Sequence, residues 1–312
     1  MTGRKLLSFL FCFVALALYP SFSFAQGAML STLYGTEFIR GELHLASDLG
    51  FKYVRYPLYE DPFNPLPTES YKQHIRQFLD GLEVLLPEIT NRGFSVILDL
   101  HHPIGGLRSR RWQLFRNNAH KATFKEFWLE IAFRFENEPA VIAYELLNEP
   151  GDYKARQWNR LAKETVLLLR ANGIRKPIII GHPFDDPYQV RYLKPINAPN
   201  VWYAFHFYKP KDITFQGIDR RPGRQYRGSA KEIERMLSEV LRFKRRHNAV
   251  VFCTEFGCST WSGIPRYNDN QSRWLTDVLQ VFHKHGIAWI YVSISNLPWD
   301  VWTIKEQQVL HA

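Results

Sequence analysis

Gly93-Phe94-Ser95-Val96-Ile97-Leu98-Asp99-Leu100-His101-His102 contains the unit on which the fold turns. A glycine closes a helical pattern, a short and mostly apolar run follows it, and histidines stand where the run ends. Glycine accepts the left-handed conformation that ends a helix and frees the chain to turn. A run that is apolar on both of its alternating faces suits a parallel strand covered on both sides. Gly50, Gly173 and Gly286 punctuate the chain in the same way. Outward from this unit, strands are expected over 52–57, 95–100, 141–146, 177–181, 201–207, 250–254 and 288–293, with one more required near 29–34. Between them, Ser229-x-x-Glu232 and Thr123-x-x-Glu126 have the spacing of capping boxes, opening helices over the apolar positions that follow. The regular alternation predicts an α/β fold, a (β/α)8 barrel of the TIM type in a single domain. Its first strand is uncertain, because 28–34 is short and weakly β-prone. A doubly wound open sheet is the alternative architecture.

The chain as a whole agrees with one large core: 46% of its 312 residues are hydrophobic and 22% charged, which excludes a disordered chain. Arg4 and Lys5 precede the apolar run 6–18, then come Pro20 and the small-residue pattern Ser23-Phe24-Ala25. Residues 1–25 therefore read as a removable signal peptide and 26–312 as a single folded domain, with an uncleaved anchor as the competing reading. The expected location is secreted or periplasmic, with no stable membrane insertion after signal removal. Cleavage lowers the formal charge from +10 to +8, since two basic residues leave and no acidic one does. A basic surface attracts anionic partners but does not specify a reaction. Cys253 and Cys258 remain after cleavage, too few for a disulfide scaffold; a single bridge and two separate buried thiols both stay open.

In a barrel of this kind the loops at the C-terminal ends of the strands build the site. The polar residues fall there: Arg55 on the second strand, His101 and His102 after the third, Asn148 and Glu149 after the fourth, His206 and Tyr208 on the sixth, Glu255 after the seventh. Singly, each has an ordinary structural use, such as an ion pair for Arg55 or a backbone hydrogen bond for His101. Together they converge on one concavity. Two carboxyl groups across a cleft are what glycosidic cleavage needs, one to protonate the leaving oxygen and one to meet the developing oxocarbenium carbon. A zinc site from His101, His102 and His206 competes for the same residues, but the chain lacks zinc-type ligand spacing.

The strings Tyr53-Val-Arg-Tyr-Pro57, Val96-Ile-Leu-Asp-Leu-His-His102, Tyr144-Glu-Leu-Leu-Asn-Glu-Pro150, Phe205-His-Phe-Tyr208 and Thr254-Glu-Phe-Gly257 resemble, in order and spacing, the motif series of the family 5 glycoside hydrolases. The resemblance covers nearly all of 26–312. It implies a (β/α)8 barrel, retaining stereochemistry, and neither metal nor organic cofactor. It makes Glu149 the acid/base and Glu255 the nucleophile, with Asn148 on the 2-hydroxyl of the sugar. Arg55 and Tyr208 would hold the nucleophile, and His101, His102 and His206 would line the substrate cleft, with His206 touching Glu149 or Tyr208. A cation and a phenol donor beside Glu255 would favour its ionised form, whereas Glu149 has to start the cycle protonated.

The chain departs from that family at the eighth strand, where a Trp-x-x-Trp pattern is usual and Trp289 is followed by Val292. Trp289 is kept as a substrate-binding residue, with Trp299 or Trp302 as replacements for the missing aromatic face. Trp128, Trp158 and Trp274 lie on helical faces and read as core. Arg108–Arg111 and Arg220–Arg227 form basic loops expected to rim the catalytic mouth, either as solvated surface or as contacts to an anionic glycan. The leading expectation is an endo-acting β-glucanase, monomeric, acting on β-glucan or a related polysaccharide or oligosaccharide, with no nucleic-acid partner. A glycan-binding protein on a decayed barrel is one alternative. A barrel acting on envelope polymers or glycolipids is the other.

Overall fold

The computed structural model describes residues 26–108, 111–152, 154–184, 186–215, 224–258 and 270–292. The signal-peptide reading of 1–25, and Trp299 and Trp302, lie outside them. Eight parallel strands close into a barrel: β1 Gln26–Met29, β2 Tyr53–Leu58, β3 Ser95–Leu100, β4 Val141–Glu145, β5 Ile178–Ile180, β6 Val201–Phe207, β7 Val251–Phe256 and β8 Ala288–Tyr291. β1 completes the ring by pairing with both β2 and β8. The open-sheet alternative is excluded.

The first strand lies earlier than expected, at Gln26–Met29, while Thr32–Tyr34 forms a 3-10 turn. The cause is steric. A side chain at Gly27 would collide with the Tyr53 carbonyl and the Ile290 side chain, so this strand must carry a residue of low β propensity where it is squeezed between its neighbours.

Helices α1 Thr36–Asp48, α2 Thr68–Asn91, α3 Asn118–Phe135, α4 Arg156–Ala171, α5 Ala230–Met236, α6 Ser238–His247 and α7 Asn270–His285 pack around the ring. Gly50, Gly93, Gly173 and Gly286 all have positive φ at helix-to-strand junctions, as their positions predict. The capping boxes fare less well. Asn117 caps α3, its Oδ1 accepting from the Ala119 N–H at 2.9 Å, so Thr123 is already inside the helix. Ser229 does occupy the N-cap of α5, but its side chain makes no capping bond, and the helical pattern divides at Leu237 into α5 and α6. Between β5 and β6 the chain uses a 3-10 helix, Pro187–Tyr192.

Trp128, Trp158 and Trp274 are fully buried between barrel and helices. Each indole also donates to a carbonyl at a strand tip: Trp128 to Leu146 at 3.0 Å, Trp158 to Gly181 at 2.8 Å and Trp274 to Lys209 at 2.8 Å. α3, α4 and α7 are thereby pinned to the segments that carry the polar residues. Inside the barrel, Ile97, Ala143, Ile179, Trp202, Ala204, Phe252, Ala288 and Ile290 form an apolar plug. A layer of buried polar side chains, Arg55, Asp99, Glu145, His206 and Glu255, lies above it.

Candidate active site

β2 delivers Arg55 into the barrel axis, where it is fully buried. Its guanidinium donates from Nε to Glu145 Oε2 at 2.8 Å, from Nη1 to Glu255 Oε1 at 2.6 Å, and from Nη2 to Asn148 Oδ1 at 3.0 Å. Nη2 also lies 3.0 Å from Asp99 Oδ2. Burial opposes its charge, but Asp99, Glu145 and Glu255 outweigh that penalty and hold the guanidinium ionised.

Asp99 and Glu145 are the residues that sequence reading passed over. Both sit within otherwise apolar strands, and an acid in a strand covered on both faces needs a buried partner. Glu145 Oε1 accepts from Thr254 Oγ1 at 3.0 Å. Asp99 Oδ2 lies 2.8 Å from His101 Nδ1, and burial pushes this carboxyl up to about 7.

His101 is itself depressed to about 4 by burial, so the ring is neutral at neutral pH. Its contacts then select a tautomer, with Nδ1–H donating to Asp99 and Nε2 accepting from Asn148 Nδ2 at 3.2 Å. Both ends of the Asn148 amide are fixed by this chain, and one Nδ2–H remains to point at a ligand.

Glu255 reaches the axis through an irregularity in β7. β6 pairs Phe205 with Cys253 but His206 with Glu255, and β8 pairs Trp289 with Cys253 but Tyr291 with Phe256. The extra residue is a bulge at Thr254. It allows two consecutive side chains, Thr254 and Glu255, to join the interior network. Tyr208 donates to Glu255 Oε2 at 3.0 Å. Burial alone would raise the Glu255 carboxyl, but the charges of His206 and Arg55 dominate and hold it at about 2. Tyr208 moves the other way, well above the ordinary tyrosine range, through burial and the neighbouring carboxylates.

Glu149 stands opposite, its side chain 31% exposed against 10% for Glu255. Its φ of 34° lies in the left-handed region, a conformation that costs a non-glycine residue about 1–3 kcal/mol and collects at functional sites. The segment is held by Trp112 Nε1, which donates to the Glu149 carbonyl at 3.1 Å. His206 Nδ1 bridges the two glutamates, 2.9 Å from Glu149 Oε1 and 3.5 Å from Glu255 Oε2. Burial opposes protonation of His206, yet the two carboxylates raise it above the usual histidine range. His182, at the tip of β5, was also missed; fully buried and far below that range, it accepts the His206 backbone N–H at 3.4 Å.

The histidines of the zinc alternative are dispersed. His101 is engaged by Asp99 and Asn148, and His102 Nδ1 is taken by the Glu60 carbonyl. Among the described residues, the group with ligand-like spacing is Glu149, His206 and Glu255, whose atoms lie within 4.8 Å of one another. Two of the three are already committed, Glu255 to Arg55 and Tyr208 and His206 to Glu149.

Trp289 requires correction. It is 5% exposed and packs edge-on against Phe51 at 5.7 Å and Phe256 at 5.3 Å, in the layer between barrel and helices. Strand alternation turns it away from the cleft. The aromatic surface that does border the site is on the other side: Tyr59 lies 4.4 Å from the His101 ring, and Trp112 lies 5.8 Å from His102. Of the basic loops, Leu107–Arg108 and Arg111–Trp112 form a small hairpin after β3, while residues 109–110 and 216–223 lie outside the described residues. Arg224 is exposed and paired with Asp212. Cys253 and Cys258 are buried and not bridged to each other; the first donates to the Glu255 carbonyl at 3.3 Å and the second to the Ile213 carbonyl at 3.5 Å. No described helix is long and apolar enough to cross a membrane.

Comparison with known proteins identifies the family and the fold. Endoglucanase C of Acetivibrio thermocellus is 24% identical over 310 residues, spanning 86% of this chain and 87% of the relative. Cellodextrinase A of Ruminococcus flavefaciens is 24% identical over 256 residues, spanning 78% of this chain and 74% of its own. In structure, endoglucanase Cel5A of Thermotoga maritima superposes with a TM-score of 0.73 at 18% identity, over 93% of this chain and 97% of that one. The family model for cellulase, glycosyl hydrolase family 5, matches residues 24–297. With a closed barrel, two glutamates on its C-terminal rim and a family match over most of its length, this chain belongs to glycosyl hydrolase family 5 and is a glycoside hydrolase.

Proposed function

We propose that the protein is an endo-acting β-glucanase that cleaves β-1,4-linked glucan or a related β-glycan with retention of configuration, Glu149 serving as acid/base and Glu255 as nucleophile. The observation that carries this reading is the asymmetry of the two glutamates across a short gap. One oxygen of each lies within 4.8 Å of one oxygen of the other, a closest approach that fits carboxyl groups about 5–5.5 Å apart, as in retaining enzymes, better than the roughly 6.5–9.5 Å that admits an inverting water. Glu255 is buried, ionised and held from both sides by Arg55 and Tyr208, as an attacking carboxylate requires. Glu149 is more open and linked to His206, which can share and return its proton. The free Nδ2–H of Asn148 supplies a donor for the 2-hydroxyl, a bond that strengthens as the transition state forms. The similarity to endoglucanases and a cellodextrinase supports the substrate class. The leader-like residues 1–25 support export of a single catalytic domain over 26–312.

The test uses Glu255→Ala on an activated aryl β-glycoside. Turnover should vanish, and added azide should restore cleavage to give the inverted glycosyl azide, read by NMR. Near-normal hydrolysis by Glu255→Ala would remove the nucleophile assignment. A panel of cellulose, mixed-linkage glucan, xyloglucan and mannan, with the same variant as control, identifies the substrate.

A further inference from the structure

A groove of about 840 Å³ lies on the outside of the barrel, between α4 and the segment running on from the 3-10 helix Pro187–Tyr192. Lys154, Arg156, Arg160, Lys163, Arg191 and Lys194 line it, all of them exposed, and no acidic residue does so among the described residues. Arg156, Arg160 and Lys163 follow helical spacing, so one face of α4 presents them as a column. Such a column is unfavourable for the free protein. Like charges four apart repel, and Arg156 occupies the first turn, where the helix dipole disfavours a cation.

The neighbouring acids do not relieve this repulsion. Asp152 accepts from the Gln157 and Trp158 N–H groups at 2.6 and 3.1 Å, Glu164 pairs with Lys125 at 3.0 Å, and Asp186 faces Lys209 at 3.4 Å. The groove is also built rather than incidental. Asn159 ties its walls together, donating to the Tyr192 carbonyl and accepting from the Lys194 N–H, each at 2.9 Å. Arg191 lies over the Tyr188 ring at 3.8 Å and donates to the Tyr192 hydroxyl at 2.6 Å, which fixes the guanidinium in advance of any ligand.

We propose that this groove is a second binding site, separate from the catalytic cleft, for a linear anionic polysaccharide carrying repeated carboxylates. Its shape argues for a chain. Lys154 lies five residues beyond Glu149, near the catalytic end, and the column descends α4 from there. Arg191 and Leu193 also border a smaller hollow against α6, where Arg246 and His247 stand beside Glu239 paired with Arg242 at 2.6 Å, so the uninterrupted cationic stretch is the one along α4. A flat lipid surface meets exposed rims and not a concave floor. A single-stranded nucleic acid calls for open aromatic faces on which bases stack, and the Tyr188 and Tyr192 faces are approached by Arg191. Spaced guanidinium and ammonium groups suit spaced carboxylates.

The experiment measures binding of the full chain to fluorescent oligogalacturonate by anisotropy at low salt, with the methyl-esterified oligomer as the neutral control. The charge reversal Arg156→Glu/Arg160→Glu/Lys163→Glu should weaken binding at least tenfold, and the milder Arg160→Gln/Lys163→Gln roughly threefold. Both should hydrolyse a small chromogenic β-glycoside within twofold of wild type. Glu255→Ala should bind the oligogalacturonate as wild type does, which separates this site from the catalytic assignment. The proposal is overturned if the milder variant binds as wild type, or if the methyl ester binds equally well. It is also overturned if duplex DNA or phosphatidylglycerol vesicles bind more tightly at equal charge.

Discussion

Two layers inside the barrel are built from the same strands, two residues apart, and have opposite chemistry. Ile97, Ala143, Ala204 and Phe252 belong to the apolar plug; Asp99, Glu145, His206 and Thr254, each two positions further along, belong to the charged layer above it. Side chains alternate along a strand, so both sets face the axis. The lower layer gains stability by removing apolar surface from water. The upper layer removes an arginine and three carboxylates from water, which is costly unless every charge is met. The plug is held by contact area, whereas the layer above it depends on particular atoms meeting.

The largest expected effect breaks the upper layer. Arg55→Met leaves Asp99, Glu145 and Glu255 buried without their cation, and unfolding in denaturant should show a loss of about 3–5 kcal/mol together with loss of activity. Retention of wild-type stability would mean that the carboxylates are held by other groups.

Breaking the lower layer should look different. Ile179→Ala opens a cavity in the plug and should cost about 2–4 kcal/mol, while kcat per folded molecule stays within a few-fold of wild type. A collapse of kcat at unchanged KM would show that the plug positions the catalytic groups as well as supporting them.

Tyr208→Phe sharpens the contrast from above. It removes the 3.0 Å donor to Glu255, a hydrogen bond to a charged group worth about 1.5–3 kcal/mol, so kcat should fall roughly ten- to a hundredfold. Thermal stability should fall by less than this, because Arg55 still holds Glu255 from the other side. A melting temperature that falls in step with kcat would assign Tyr208 a structural role.

The smallest effect is at the rim. Glu60, buried on the loop after β2, accepts the Leu66 N–H at 2.6 Å, and burial raises its carboxyl from 4.5 to about 7. The folded state thus holds this proton more tightly than the unfolded state, so stability falls as pH rises from about 4.5 towards 7. Glu60→Gln cannot ionise. Its stability relative to wild type should rise between pH 5 and 8 by about 1 kcal/mol, reduced from the full shift for partial solvent access. A difference independent of pH would show that Glu60 does not titrate in this range.

Much of this was legible along the chain because its causes are local. The glycines Gly50, Gly93, Gly173 and Gly286 mark helix ends through their own backbone freedom, and the strand tips name Arg55, Asn148, Glu149, His206, Tyr208 and Glu255. The first strand was misplaced because Gly27 answers to Tyr53 and Ile290, which propensity does not register. Asp99 and Glu145 were passed over because, in isolation, each looks like a polar interruption in a strand.

The alternation of elements, the barrel class and the residues standing at its mouth are written along the chain, since these follow from turn chemistry and from periods of two and 3.6 residues. Tertiary structure decided which way those residues face. The bulge at Thr254 brings Glu255 inward, while Trp289 on the next strand turns outward to Phe51. Asp99, Glu145 and Glu255 meet around one guanidinium, although Arg55 is 90 positions from Glu145 and 200 from Glu255. The physical reason is register: where a side chain lands depends on how each strand is aligned with its neighbours, and closing the ring fixes that alignment for all eight strands together.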